Sequence, residues 1–337
     1  MATIKDIAAR LGVSISTVSK GLNGASDISE ELRQTVLDTA VEMGYSTKRS
    51  RKVENRKLAL FIENMNYESI DEFGYDVVLG FKHNAFKHRG DVDIIPVTPQ
   101  LQAEEKYDTY ILKNGYCGAF LVGFALHDEW MQQLKNTTMP TVLFDNYIEN
   151  NPNVAYVGTD SYEGIDMAVK HLHNLGHKKI AFINGSLFSL VSDQRQEAFE
   201  NSMRDAGLEI YPELMGHGYY IPETAQYYVS NFIAAGATAI LCGSDTIAKG
   251  VILECQLHGF NVPNDISVVG FDDVKFAAAL TPPLTTIRQE RNDLGRCAYI
   301  ILNSLIHHIP ISRTQLRPML IERESTARVS TAHAAEE

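Results

Sequence analysis

A small all-α head followed by an α/β body of two doubly wound parallel-sheet lobes is the fold class this chain predicts. Three short, capped helical patterns fill residues 3–44. Seven nearly continuous apolar runs of four to six residues follow, at 58–63, 92–97, 118–123, 141–145, 180–185, 239–243 and 268–272, with helical stretches such as 192–206 and 223–235 between them, and a last helix (289–307) and strand (319–322) after them. Runs apolar on both faces belong to buried parallel strands joined by crossover helices. They fall into two sets, four and then three, so two lobes are expected, each with its ligand chemistry at the carboxyl ends of its strands.

The head opens on Thr3 and Asp6, a capping-box pair, and Ile4, Ile7, Ala8 and Leu11 mark one helical face that Gly12 ends. Ser14 caps a second helix with Val18 and Leu22 pointing inward, and Asn23-Gly24 stops it. Ser29, followed by Glu30 and Glu31, starts a third, whose apolar stripe is Leu32, Val36, Ala40 and Met43. The short turn between the first two helices makes this a helix-turn-helix pattern. The second helix turns Ile15, Ser16, Ser19 and Lys20 outward. Small polar groups and one cation suit base edges and phosphates: Lys20 can donate to guanine or a phosphate, Ser16 can bond either kind of base, and Ile15 can pack on a thymine methyl. A small helical bundle or protein-docking module with solvated serines accounts for the same spacing equally well.

Charge is split along the chain. Residues 1–57 carry ten Lys/Arg against seven Asp/Glu, a net of +3, within a chain whose total is −12, so the remaining 280 residues carry −15. A basic head on an acidic body fits a head that meets an anion. No apolar stretch is long enough to span a membrane, and Asp6 and Arg10 stand where an export signal needs an apolar run, so a cytoplasmic protein is expected. Cys117, Cys242, Cys255 and Cys297 are scattered, which implies reduced thiols rather than disulfides or zinc. No nucleophile elbow, metal motif or phosphate loop accompanies the strand-end carboxylates, so no enzyme, no metal and no cofactor are expected.

TIKDIAARLGVSISTVSKGLNG (residues 3–24) resembles the head of the lactose-repressor family of bacterial transcription regulators nearly position by position. The body carries further marks of that family in HLHNLGHKKIAFING (171–185), SDQRQEAF (192–199) and ISVVGFDD…TPPLTTIRQ (266–289). The resemblance implies a helix-turn-helix DNA-binding domain over 1–48 and a periplasmic-binding-protein-like effector body. The N-terminal lobe of that body would be 58–158 plus 288–316, the C-terminal lobe 159–287 plus 317–326, and 327–337 a disordered tail. It also implies DNA contacts from Ser14, Ile15, Ser16, Thr17, Ser19, Lys20 and Asn23, a palindromic double-stranded operator, a homodimer, and a small-molecule effector between the lobes.

Residues 49–57 form a basic linker. Relatives place a proline-asparagine pair and a wedging leucine after the tyrosine, and this chain has neither in those places. Lys48, Arg49, Arg51 and Lys52 are expected to neutralise phosphates instead, which makes affinity salt-sensitive. For the effector, Asp145 and Asp272 close strand-like runs, Arg195 adds a fork of donors, and Phe73 and Tyr220 offer aromatic faces. Gln289 and Ser244-Asp245 complete the set by family position. Paired carboxylates suit hydroxyls, so a repressor of carbohydrate-utilisation genes answering to a sugar is the expectation. A nucleobase or nucleoside sensor is the alternative, since the same aromatic and guanidinium groups serve a stacked base. A sugar-binding transport protein is the remote one.

Overall fold

In a computed structural model, which describes residues 2–45 and 56–329, the caps of the head act as their spacing predicts. The Thr3 amide donates to Asp6 Oδ2 at 2.8 Å and the Asp6 amide to Thr3 Oγ1 at 3.3 Å, closing the box at the start of α1 (Ile4–Leu11). The Thr17 amide donates to Ser14 Oγ at 3.0 Å to start α2 (Ile15–Asn23), and the Leu32 amide to Ser29 Oγ at 3.3 Å to start α3 (Glu30–Glu42). Gly12 and Gly24 end the first two helices at φ 67° and 65°, a left-handed backbone that only glycine adopts without strain.

Ile7, Ala8, Val18, Val36, Leu37 and Ala40 are buried. Leu37 lies outside the stripe predicted for α3, because that helix packs on two sides. Its far side meets a helix of the first lobe, where Thr109 Oγ1 donates to Asp38 Oδ1 at 3.2 Å. One apolar cluster therefore runs from Ile7 through Tyr45 to Phe61 and Trp130.

The chain forms two compact units, Met1–Met65 with Asp76–Val157 and Asn292–Thr314, and Asn66–Tyr75 with Gly158–Arg291 and Gln315–Glu337. In chain order the elements after the head are β1 (Arg56–Ile62), α4 (Phe73–Lys87), β2 (Gly90–Pro96), α5 (Pro99–Glu104), α6 (Tyr107–Lys113), β3 (Ala119–Val122), α7 (Glu129–Gln133), β4 (Thr141–Phe144) and β5 (Val154–Thr159). Then come α8 (Ser161–Asn174), β6 (Ile180–Asn184), α9 (Leu190–Asp205), β7 (Met215–His217), α10 (Val229–Ala234), β8 (Ala239–Cys242), α11 (Asp245–Leu257), β9 (Ser267–Asp272), β10 (Thr285–Arg288), α12 (Arg291–Ile306), β11 (Arg313–Leu316) and β12 (Met319–Ile321).

The first sheet runs β11-β5-β4-β3-β1-β2 and the second β12-β10-β9-β8-β6-β7, with β12 antiparallel to β10. In each, the first strand has the next two strands of the chain on opposite sides, so the order reverses between β1 and β3 and again between β6 and β8. Such switch points leave a crevice outside the strand ends. In the first unit, α4 and α12 cross where a Cβ on Gly80 would stand 2.0 Å from Asn292 O and one on Gly295 2.0 Å from Val77 O.

Several expectations change. Strands β5, β7, β10 and β11 were not read from the sequence. The helix expected over 223–235 is a 3-10 helix at Pro222–Tyr227 followed by α10, with a break where the Tyr228 hydroxyl donates to His217 O at 3.0 Å. The tail expected to be disordered from 327 is held through residue 329: the Ala327 amide donates to Ser267 Oγ (3.0 Å) and the Val329 amide to Leu175 O (3.1 Å). Among the described residues no helix is long and apolar enough to cross a membrane, and no group of His, Cys, Asp and Glu is placed to hold a metal ion. Cys117, Cys242 and Cys255 are buried and Cys297 half-buried, all as free thiols.

Candidate functional site

On the head, α2 has a short apolar back, Val18 and Gly21, and a small polar front. Gly21 is needed there, since a Cβ would stand 3.0 Å from Val36 of α3. Ile15 stays 49% exposed and Ser16 is exposed beside it, an apolar tip and a hydroxyl at the N-terminal end of the helix. The Lys20 ammonium is ion-paired with Asp27 at the exposed surface. Other members of the expected contact set are engaged by the helix itself. Ser14 is its cap and lies 2.9 Å from Thr17 Oγ1, and Asn23 Nδ2 donates to Ser19 O at 2.7 Å. The side chains of this face that the helix itself does not engage are thus Ile15, Ser16 and Lys20, the last ion-paired with Asp27. Lys48, Arg49, Arg51 and Lys52 lie outside the described residues.

Of the eight residues expected at the effector site, seven belong to the second unit and Asp145 to the first. In the second unit they collect at the carboxyl ends of β6, β8, β9 and β10, across the β6/β8 switch point. Glycine makes the room: a Cβ on Gly185, just after β6, would stand 2.3 Å from the Tyr220 hydroxyl and 2.7 Å from Ser192 Oγ. Those two oxygens are 3.2 Å apart. One turn along α9, Arg195 is only 3% exposed; its guanidinium lies 3.9 Å over the Phe271 ring and Nη1 donates to Gly243 O at 2.6 Å.

Asp272 is the centre of the group. Its Oδ1 accepts from Gln289 Nε2 at 2.7 Å, and its carbonyl accepts from Arg291 Nη1 at 3.4 Å. Arg291 in turn sits 5.8 Å from the centre of the Phe73 ring. Burial pushes the Asp272 carboxyl up to about 6, against the opposing pull of Arg195, the Gln289 amide and Arg291. Two buried atoms here have no hydrogen-bond partner among the described residues: the acceptor Gln289 Oε1 and the donor Arg195 Nε. Arg291 was missed in the sequence; it stands two residues after Gln289, where α12 begins and turns it toward the Asp272 backbone.

Ser244 and Asp245 do not face the same way as the others. Ser244 caps α11, accepting from the Ile247 amide at 3.2 Å, and Asp245 is fully buried with both oxygens bonded inside the fold. Expected as contacts, they are placed as framework. Asp245 is held well above the usual carboxylate range by burial and then by the neighbouring charge of Asp272.

The first unit has its own strand-end group. Asp145 follows β4 at φ 55°, and the β1/β3 switch point is so tight that a Cβ on Gly123 would stand 1.8 Å from Glu63 O. Glu63 accepts from Gln102 Nε2 at 2.7 Å, and burial together with the adjacent Asp128 pushes its carboxyl up to about 7. Trp130, read from the sequence as a packing residue, is fully buried against Phe61 and donates from Nε1 to Glu105 O at 2.7 Å.

Comparison with known proteins adds to this geometry. Residues 3–48 match the bacterial regulatory proteins of the lacI family, and residues 169–326 match the periplasmic binding protein-like domain. The HTH-type transcriptional repressor PurR of Actinobacillus pleuropneumoniae serotype 3 (strain JL03) is 30% identical over 328 residues, 96% of this chain and 95% of that protein. Among solved structures, a transcriptional regulator CelR–cellobiose complex is similar with a TM-score of 0.73 at 24% identity, over 96% of this chain and 100% of that one. The lac repressor dimer bound to operator and the anti-inducer ONPF is similar with a TM-score of 0.67 at 22% identity, over 97% and 99% of the two chains. These structures share the fold. Since the head matches through its recognition helix and the PurR likeness extends over nearly the whole length, the chain belongs to the lacI family of bacterial regulatory proteins, DNA-binding regulators of transcription rather than enzymes.

Proposed function

We propose that this protein is a cytoplasmic repressor that binds a palindromic operator as a homodimer and answers to a nucleobase or nucleoside held at the strand ends of its second unit. The observation that carries the effector class is the pairing of unmet groups around Asp272. Gln289 Oε1 seeks a donor and Arg195 Nε an acceptor, close to the aromatic and guanidinium surfaces of Phe73 and Arg291. A planar base offers N–H donors, ring acceptors and a stacking face together, and leaving either protein group unmet in a buried site is costly. The likeness to a repressor named PurR over nearly the full chain favours a purine-type base.

A sugar remains the second reading. The Asp272 carboxylate beside the Gln289 amide can accept from and donate to neighbouring hydroxyls. Titration calorimetry of the full-length protein against adenine, guanine, adenosine, guanosine, glucose and cellobiose separates the two. Saturable binding of a base or nucleoside, lost in Arg195→Ala while the variant still binds operator DNA, is the expected result. Binding of a saccharide alone would replace this reading with the sugar one, and unchanged affinity in Arg195→Ala would move the site elsewhere.

A further inference from the structure

A fully buried carboxylate is costly to keep, and Asp245 is one. It opens α11 with no exposed surface. Thr286 Oγ1 donates to its Oδ1 at 2.5 Å and the Val274 amide to its Oδ2 at 2.9 Å, so both oxygens are taken up by the fold. Strand β9 is shaped around it: a Cβ on Gly270 would stand 2.3 Å from Asp245 Oδ1. The glycine of the GFDD run thus seats a carboxylate that lies more than twenty residues earlier in the chain.

What the carboxylate holds is unusual backbone. Asp272 and Asp273, consecutive and neither of them glycine, have φ of 121° and 51°. Such conformations persist only where the surroundings over-determine them. Two clamps do so here. Asp273 accepts from Arg288 Nε at 2.7 Å and Arg323 Nη2 at 2.6 Å, and Asp245 holds the next residue, Val274. Without the second clamp, the turn after Asp272 is held through the Asp273 side chain but no longer through Val274.

We infer that Asp245 is a positioning residue of the effector site, which touches no effector and acts by fixing Val274 so that Asp272 is presented to Gln289 and Arg195. The binding part of this rests on the proposed effector site; the backbone part does not.

The test uses the full-length chain, with guanine as the probe in calorimetry and hydrogen exchange read on the peptide containing Val274. Asp245→Ala, which removes both acceptors, and Thr286→Val are each expected to weaken guanine by about tenfold, the scale of one lost buried hydrogen bond. Both should also speed exchange at Val274 while leaving the β6 peptide protected. Thr286→Ser keeps the donor and is expected to behave as the wild type. Asp272→Asn, a contact change, is expected to lose guanine with Val274 still protected. Wild-type exchange at Val274 in Asp245→Ala overturns the inference, as does faster exchange with guanine affinity unchanged. If Asp245→Ala does not fold, the Thr286 pair decides by the same readouts. If the wild type binds no guanine, whichever of adenine, adenosine and guanosine it does bind serves as the probe; if it binds none of them, the effector reading fails and Val274 exchange alone decides whether Asp245 holds the turn.

Discussion

Asp272 carries a carboxyl whose proton affinity is set by its neighbours. Buried, it titrates near 6 rather than at the ordinary 3.8. A group raised in this way binds protons more tightly in the folded state, so its contribution to stability declines as pH rises from about 4 to about 6. Effector affinity has the opposite sign if the ionised form is the acceptor. We expect affinity to rise as pH passes upward through about 6 and then level off. Calorimetry between about pH 5 and 8 reads this directly; a flat wild-type profile would mean the carboxylate takes no part. The positions of Asp145 and Asp272 at strand ends and of Arg195 early in a helix were legible, because acids and a guanidinium stand out as residue types next to apolar runs. Asp245 was misplaced as a contact for the same reason. An aspartate that opens a helix after a strand has the same local pattern whether it faces a ligand or is enclosed, and only its partners Thr286 and Val274 distinguish the two.

At the scale of elements, the strands legible in the sequence were those with continuous apolar runs. Strand β10 was missed because its buried Thr285 and Thr286 spend their hydroxyls on Thr326 and Asp245, and so read as turn residues. Strand β11 was missed because it is a polar edge strand, and three-residue β7 is too short to show a pattern. The segment from 327 was expected to fray, and through residue 329 it is instead latched to the second sheet. His177, 2% exposed, lies 2.9 Å by Nδ1 from Thr238 Oγ1 and 3.0 Å by Nε2 from Ala327 O. The carbonyl can only accept, so the neutral ring carries its proton on Nε2 and Nδ1 accepts from the threonine. Burial lowers this histidine to about 4. The unfolded chain therefore takes up the proton first as pH falls. The stabilisation is complete above about 6.5 and lost on the way down to about 4, at most about 3 kcal/mol. Thermal unfolding followed from about pH 7 to 4.5 should show this loss, and His177→Gln should have a shallower acid dependence. Equal acid slopes for the two proteins would show that the latch is not the acid-sensitive element.

For the molecule as a whole, a head of net +3 is joined to a body of −15. DNA binding then depends on a few cations rather than a broad positive surface, and each one should be visible in the salt dependence. Lys20 is the test case, since Asp27 holds its ammonium in the free protein. If Lys20 meets a phosphate, Lys20→Ala should weaken all operator sequences alike and reduce the slope of log affinity against log salt by about 1. If it meets a base, the loss should fall on one operator position, and fluorescence anisotropy on an operator series distinguishes the two. Such work needs the full chain, because the head does not stand apart: α3 gives one face to α1 and α2 and another to α6.

The sequence by itself determined the capped helices of the head, the alternation of apolar strands with helices, and the residue types available to read DNA and hold a small molecule. These follow from local propensities and periodicities, which act over a few residues. Tertiary structure alone decided that α3 is shared with the first lobe, that Arg291 joins the group around Asp272, and that Asp245 is framework rather than contact. Each of these depends on which distant residues come within a few ångströms, and burial, partner and charge are set at that range rather than along the chain.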